Sequence, residues 1–257
     1  MLIVISPSKG QDFTGEVEYK KVTIPGLLEH SKILIKDLKK YDTVKIQNLM
    51  QVSENIARLN TARFKEFKTP FNHKNAKPAF FAFKGDVYSG FAKEKYKAAD
   101  LDYAQKHLRI ISGLYGLLRP MDLIQPYRLE MKTRLKNPRG DNLYQFWGSI
   151  ITNELNTALT KHKQKYLVNL ASNEYFKSVK PKELKADILN INFKEIKNDK
   201  ARVVAVFAKR ARGLMSDYIL RNRIQSPEDI KKIKTAGYKY SQEQSNANNL
   251  VFTRPQP

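Results

Sequence analysis

Residues 108–131, LRIISGLYGLLRPMDLIQPYRLEM, decide how the rest of the chain is read. An apolar run (Leu108, Ile110, Ile111) stops at Ser112 and gives way to Gly113-Leu114-Tyr115-Gly116. Arg119-Pro120, Asp122, Pro126 and then Tyr127-Arg128-Leu129-Glu130 follow. Glycine permits positive φ and close backbone approach, while proline fixes φ and removes a donor. A core strand needs no such punctuation. The pattern predicts a buried strand emptying into a rigid, polar, non-repetitive loop, the usual place for a site in a mixed sheet. The plainer reading is that the glycines and prolines only turn the chain and that Arg128 pairs with Glu130.

Outward from that stretch, the chain reads as one mixed α/β domain over residues 1–257, with a central mixed sheet and surrounding helices. A length of 257 residues, 41% hydrophobic with 13 Tyr and 13 Phe, can bury a substantial core. With no cysteine, disulfides, thiolate metal sites and a cysteine nucleophile are excluded. The start, MLIVISPSKG, lacks a basic n-region, and no apolar stretch approaches a membrane span, so the expectation is a soluble cytoplasmic protein with no membrane contact. Lys+Arg 47 against Asp+Glu 25 gives +22, a field that attracts polyanions and nucleic acid first. A lysine-rich proteome would give the same excess without a specific partner.

Strands are expected at residues 2–6, 79–83, 108–112 and 167–170. A hairpin is expected to turn at Asn198-Asp199-Lys200 and return through ARVVAVFAKRARG, forming an antiparallel edge. Helices are expected from Pro25 to about 40, after caps at Asp42, Ser53 and Asp100, from Asp141 or Asn142 to about 162, and over 213–224. The tract SQEQSNANN leans towards disorder, and LVFT is a last strand. Trp147, the only tryptophan, reads as core. Residues 202–234 hold nine Lys/Arg and three acids, a net +6. A helix, a Pro-bearing turn and a second helix there are similar to a helix-hairpin-helix, without its Gly-hydrophobic-Gly hairpin.

Four histidines stand apart, with no HxH, HxxH or HExxH pair, so no metal site is expected. There is no GxSxG elbow and no GxGxxG after a strand, and no cofactor is expected. What remains is convergence. Lys84-Gly85-Asp86, Ser112 to Gly116, Ser172-Asn173-Glu174-Tyr175 and Lys209-Arg210-Ala211-Arg212-Gly213 each follow an apolar run. Were the strands parallel neighbours, these cassettes would share one mouth, with Tyr88, Tyr115, Tyr127 and Tyr175 as stacking faces. Lys84, Asp86, Tyr115, Arg128, Glu130 and Glu174 are the candidates for chemistry. Lys9, Lys84, Arg119, Arg128, Lys177, Lys209, Arg210, Arg212, Arg221 and Arg223 are the candidates for phosphate contacts. Gly85, Gly113, Gly116 and Gly213 are the candidates for loop shaping.

These stretches together resemble the YaaA peroxide-stress family. LIVISPSK, AFKGDVYSG (82–90), the whole of 108–131, LYQFWG (143–148), NLASNEYFKSVKP (169–181), AKRARGLMS (208–216) and VFTR carry the resemblance, in the same order along nearly the whole chain. Lys132 and Gly10 depart from the family pattern, where glycine and threonine are expected. The resemblance implies a family-specific single-domain α/β fold, a positively charged cleft and a helix-hairpin-helix element. It also implies binding to duplex, bubble or junction DNA, with protection of DNA and restraint of free iron under hydrogen peroxide. No catalytic activity and no stable protein partner are implied. An enzyme acting on damaged nucleic acid or a nucleotide is the alternative.

Overall fold

β1 (Leu2–Ile5) occupies the centre of an eight-stranded mixed sheet, and all four of its side chains are buried. The computed structural model describes residues 1–257. An unbroken aliphatic run of this kind suits a strand covered on both faces, each side chain contributing roughly 1.5–3 kcal/mol by leaving water. β1 is flanked in parallel by β2 (Leu108–Ser112) and, on the other side, by β4 (Tyr166–Leu170). β2 turns back through residues 113–115 into β3 (Gly116–Leu118), an antiparallel edge. Beyond β4 lie β5 (Asp187–Lys197) and then β8 (Asn249–Pro255), both parallel to it. β6 (Lys200–Arg202) folds back on the end of β5, and β7 (Lys239–Tyr240) closes the far edge against β8. Five parallel strands therefore point their carboxyl ends the same way. The chain steps from β1 to β2 on one side, then crosses to β4 on the other. The switch point lies beside β1, where open α/β sheets form a crevice.

A polar ladder pins three of these strands. Asn169 Nδ2 donates to Asn190 Oδ1 at 2.9 Å, and Asn190 Nδ2 donates to Asn249 Oδ1 at 3.1 Å. Because the three residues are direct neighbours in register, a one-residue slip would break both bonds.

The helices α1 (Leu28–Leu38), α2 (Thr43–Met50), α3 (Glu54–Glu66), α4 (Ala98–His107), α5 (Ile150–Thr160) and α6 (Ala205–Arg221) surround the sheet. The predicted stripe of α1 is inward, since Leu27, Leu28, Leu34, Ile35 and Leu38 are all buried. Asp42 caps α2 by accepting from the Lys45 amide at 2.8 Å. Trp147 is fully buried, and its indole donates to the Gly113 carbonyl at 3.0 Å.

Several expectations are corrected. Residues 79–83 are not a central strand. Ala79–Ala82 is a single helical turn, and only Phe83–Lys84 pairs, with Gly10–Gln11. Five apolar residues fit a buried turn as well as a strand, and here the Ala79 and Phe80 amides bond to the carbonyls of Asp122 and Pro120. The hairpin after β5 returns for only three residues, and β5 is interior, so the antiparallel edge is not formed there. The chain then enters the 17-residue α6, so Lys209, Arg210 and Arg212 lie on a helix and not at a strand end. Ala205, Ala208 and Ala211 favour helix, and Ala208, Ala211, Met215 and Ile219 supply its buried face. Asp100 is not the first cap of α4. It sits one turn in and accepts from the Lys97 amide. The helix from Asn142 breaks at Gly148, with φ +47°, into Leu143–Trp147 and α5. The SQEQSNANN tract is an ordered loop between β7 and β8, where Ser245 Oγ accepts from the Val251 amide.

Candidate functional site

The carboxyl ends of β1, β2 and β4 bring three loops together. At the switch point the Ser172 amide donates to Ser6 Oγ at 2.8 Å, and the Tyr88 hydroxyl donates to the Ser6 carbonyl at 3.2 Å. Beyond Ser6, the backbone at Gly10–Gln11 pairs with Phe83–Lys84, which brings the 84–86 loop against Ser8. Lys84-Gly85-Asp86 therefore reaches the same edge without following a strand of the main sheet.

Glu130 is the centre of the charge arrangement. Lys9 Nζ lies 3.1 Å from it, Arg128 Nη2 3.1 Å and Lys132 Nζ 3.7 Å, and the carboxylate is only 11% exposed. Burial alone would raise the Glu130 carboxyl. Hydrogen bonds and charge from Lys9 and Arg128 outweigh it and hold the group below its ordinary value. The Lys132 amide donates to Glu174 Oε1 at 3.3 Å, which ties the one-turn helix Asn173–Phe176 to the cluster. An open cleft of about 480 Å³ lies over this cluster, lined by Lys9, Arg128, Glu130, Lys132 and Arg134 and by the end of α2. Three cations contact one carboxylate there, and Arg134 adds a fourth to the cleft lining. Arg128 Nε is buried and has no partner, so the guanidinium retains a donor beyond its bond to Glu130.

A line of charge leads away from the cleft. Lys9 adjoins Gly10, which pairs with Lys84; Lys84 Nζ lies 2.6 Å from Asp12. Next, Asp86 lies 3.8 Å from Lys209, and Arg210 follows on the exposed side of α6. The lysine and carboxylate of the Lys209–Asp86 pair are about half exposed, so it is weak and open to exchange for another anion.

The remaining candidates fall outside this line or are already engaged. Tyr115 is fully buried; its hydroxyl accepts from the Gln125 amide at 3.0 Å. Tyr88 and Tyr127 are buried too, and burial pushes all three phenols above their ordinary value. None of the three offers a ring to a base. Arg119 holds Asp122 through Nε at 3.0 Å and Nη2 at 2.7 Å. It follows β3, which runs back from the cleft, so it lies towards the other end of the sheet. Arg212 is half-buried on α6, its Nε unpartnered. Arg221 pairs with Asp217, and Arg223 pairs with Asp100 while stacking on Tyr103 at 4.3 Å. Lys177 is exposed above the Tyr144 ring. Past α6, residues 222–226 turn into Pro227–Lys231, a helix of five residues whose Lys231 pairs with Glu228.

Gly113 and Gly213 are sites of close approach. A Cβ on Gly113 would stand 2.2 Å from the Leu129 carbonyl oxygen, and one on Gly213 would stand 1.8 Å from that of Val87. Gly85 (φ +118°) and Gly116 (φ +67°) lie in turns, and a Cβ on Gly116 would meet Trp147.

Sequence reasoning does not place Lys132 and Arg134 among the site residues. The signal is the alternation Lys132, Arg134, Lys136 against buried Met131, Thr133 and Leu135, which sends every cation outward. It also misses Lys93, whose ammonium lies 5.2 Å from the ring centroids of both Phe80 and Tyr88 and donates to the Phe83 carbonyl. Burial first, then Lys77 and Lys84, pull that amine down to about 8.

The sequence profile of the family described as peroxide stress protein YaaA matches residues 1–244. The chain belongs to the YaaA peroxide-stress family. A UPF0246 protein of Aliivibrio fischeri strain MJ11 is 51% identical over 254 residues, covering 99% of this chain and 98% of its own length. UPF0246 proteins of Colwellia psychrerythraea strain 34H and Shewanella loihica strain PV-4 are 50% and 51% identical, each over 254 residues and 99% of this chain, and over 99% and 98% of their own lengths. YaaA-family membership therefore rests on nearly the whole chain and not on one motif. No helix is long and apolar enough to cross a membrane.

Proposed function

We propose that this YaaA-family protein binds DNA in the cytoplasm, duplex or branched, and acts in hydrogen-peroxide defence by limiting oxidative damage to DNA and free iron. The observation that carries the reading is the line of cations from Arg134, Lys132, Arg128 and Lys9 past Lys84 to Lys209 and Arg210. Phosphates spaced along a backbone suit a row of exchangeable cations better than they suit one closed pocket. α6, the 222–226 turn and the helix Pro227–Lys231 form the helix-hairpin-helix side of the grip. Arg221, Arg223 and Lys231 are paired internally, so Lys209 and Arg210 make its main phosphate contacts. Replacing Lys209 and Arg210 together with Ala should lower duplex affinity and flatten its log–log salt dependence by about 1.8, at about 0.9 per phosphate neutralised. Unchanged affinity and slope would remove α6 from the interface.

The Glu130 cluster favours one alternative, an enzyme acting on damaged nucleic acid or a nucleotide. A carboxylate held ionised beside Lys9, at a sheet switch point, is an arrangement that acid–base chemistry uses. Long incubation with oxidised duplex, bubble and junction DNA should then yield a modified base or a cut strand, and intact substrates would reject it.

A further inference from the structure

A second cavity, of about 640 Å³, opens on the same edge of the sheet but at its other end, beside the ends of β5 and β8. Phe207 and Leu214 of α6 line it with Tyr238, and Arg210 and Arg254 stand among them. Arg254 is fixed in place. Its guanidinium lies over both Phe207, at 5.0 Å, and Tyr238, at 4.4 Å, and it donates to the Ala236 carbonyl at 2.9 Å. Behind it Glu195 is buried, held by Arg254, by the Tyr238 hydroxyl and by the Val204 amide. The apolar surface does not end at the cavity. Val206 is 53% exposed, and Val203, just before α6, is 59% exposed. Exposed Val203 and Val206 thus extend the apolar lining of Phe207 and Leu214 beyond the cavity, although the opposite face of the helix is packed in the core.

Volume, lining and charge together limit the occupant. The cavity is large enough for two or three apolar side chains. A nucleobase would need an open ring face; Tyr238 is buried, and Arg254 covers one face of its ring and one of Phe207. Around the opening cations outnumber acids: Lys197, Lys200 and Arg202 stand on the adjacent hairpin, with Asp199 at its turn, and Arg210 and Arg254 stand at the cavity itself. We propose that this groove docks a short acidic segment of another protein. One or two apolar anchors of that segment sit between Phe207, Leu214 and Tyr238, and its carboxylates face Arg210 and the hairpin cations. The groove lies apart from the strand-end cleft, although Arg210 belongs both to its lip and to the line of cations proposed for DNA.

The test uses the full chain and a fluorescein-labelled octapeptide, Glu-Asp-Asp-Leu-Asp-Asp-Leu-Phe, followed by anisotropy at physiological salt. The control peptide keeps every acid and replaces the leucines and phenylalanine with serine, because a chain of charge +22 attracts any acidic peptide. The apolar peptide should bind at least about tenfold tighter than the control, the gain expected from burying even one anchor. Val206→Asp, at an exposed position, should abolish that difference. Arg210→Glu should weaken both peptides. Equal binding of the two peptides, or a difference that survives Val206→Asp in a folded variant, would overturn the proposal. So would displacement of the apolar peptide, but not of the serine control, by a short oligothymidylate, which would assign the groove to nucleic acid.

Discussion

Residues 112–127 and 128–134 are consecutive, yet they do opposite work. In the first segment the glycines, prolines and tyrosines turn inward: Tyr115, Tyr127 and Gln125 are buried, Ser112 Oγ and the Tyr127 hydroxyl are 2.7 Å apart, and Trp147 reaches the Gly113 carbonyl. In the second, Arg128, Lys132 and Arg134 line the cleft around Glu130, while Leu129, Met131, Thr133 and Leu135 anchor the strip from beneath. The difference teaches that unusual residues mark a demanding structure, and only their exposure tells whether the demand is packing or binding. The close approach at Gly113 joins the two, since its Cα lies against the Leu129 carbonyl.

That contrast can be broken most violently at the glycines. Gly213→Ala forces a methyl to within 1.8 Å of a backbone oxygen, and Gly113→Ala to within 2.2 Å. Neither neighbour is a flexible side-chain tip, so each variant should lose about 3–5 kcal/mol in denaturant unfolding. A smaller loss is expected from Tyr115→Phe. It leaves the buried Gln125 amide without its acceptor, which should cost about 1–3 kcal/mol and leave DNA affinity unchanged. If Tyr115→Phe instead weakened binding at full stability, the inward segment would be part of the interface.

A comparable effect belongs to neither segment. His162 is buried against His107 and pulled down to about 4 by burial, then by the N-terminus and His107. Its folded value lies below the unfolded one of about 6.5, so the unfolded chain takes up the proton first. Stability is therefore full above about pH 6.5 and falls as pH drops towards 4. His162→Gln should remove roughly 1–2 kcal/mol of that acid-side loss, read as a flatter dependence of unfolding free energy on pH. An unaltered acid limb would place the titration elsewhere.

Much of the fold was legible because its centre is written in unambiguous residues. LIVI, LRIIS and LVNL are short aliphatic runs ended by polar residues, and they became the three strands that meet at the switch point. AFFAF and ARVVAVFAKRARG were not legible, because an apolar run without period fits a strand, a single turn or the start of a helix equally. What settles those segments is tertiary: carbonyls of Pro120 and Asp122 waiting for the 79–80 amides, and a glycine at 213 that allows α6 to lie on the 87–90 backbone. The site was half legible. Lys9, Arg128, Glu130 and Glu174 do gather, Lys84 stands beside them paired with Asp12, and Tyr115 and Arg119 are committed to packing and to Asp122. Sequence alone carries a residue's type and spacing. It does not carry which side of a buried ring remains open.

The most direct measurement is the salt dependence of duplex affinity for the wild type and for Lys9→Ala/Lys132→Ala/Arg134→Ala, read alongside thermal unfolding. All three side chains are exposed, but Lys9 and Lys132 pair with the largely buried Glu130; with Arg128 left to hold it, unfolding should shift by about 1–3 kcal/mol. The log–log slope should flatten by about 2.7, at about 0.9 for each phosphate that is no longer neutralised. An unchanged slope in a stably folded variant would contradict the assignment of the strand-end cleft as the DNA-binding surface.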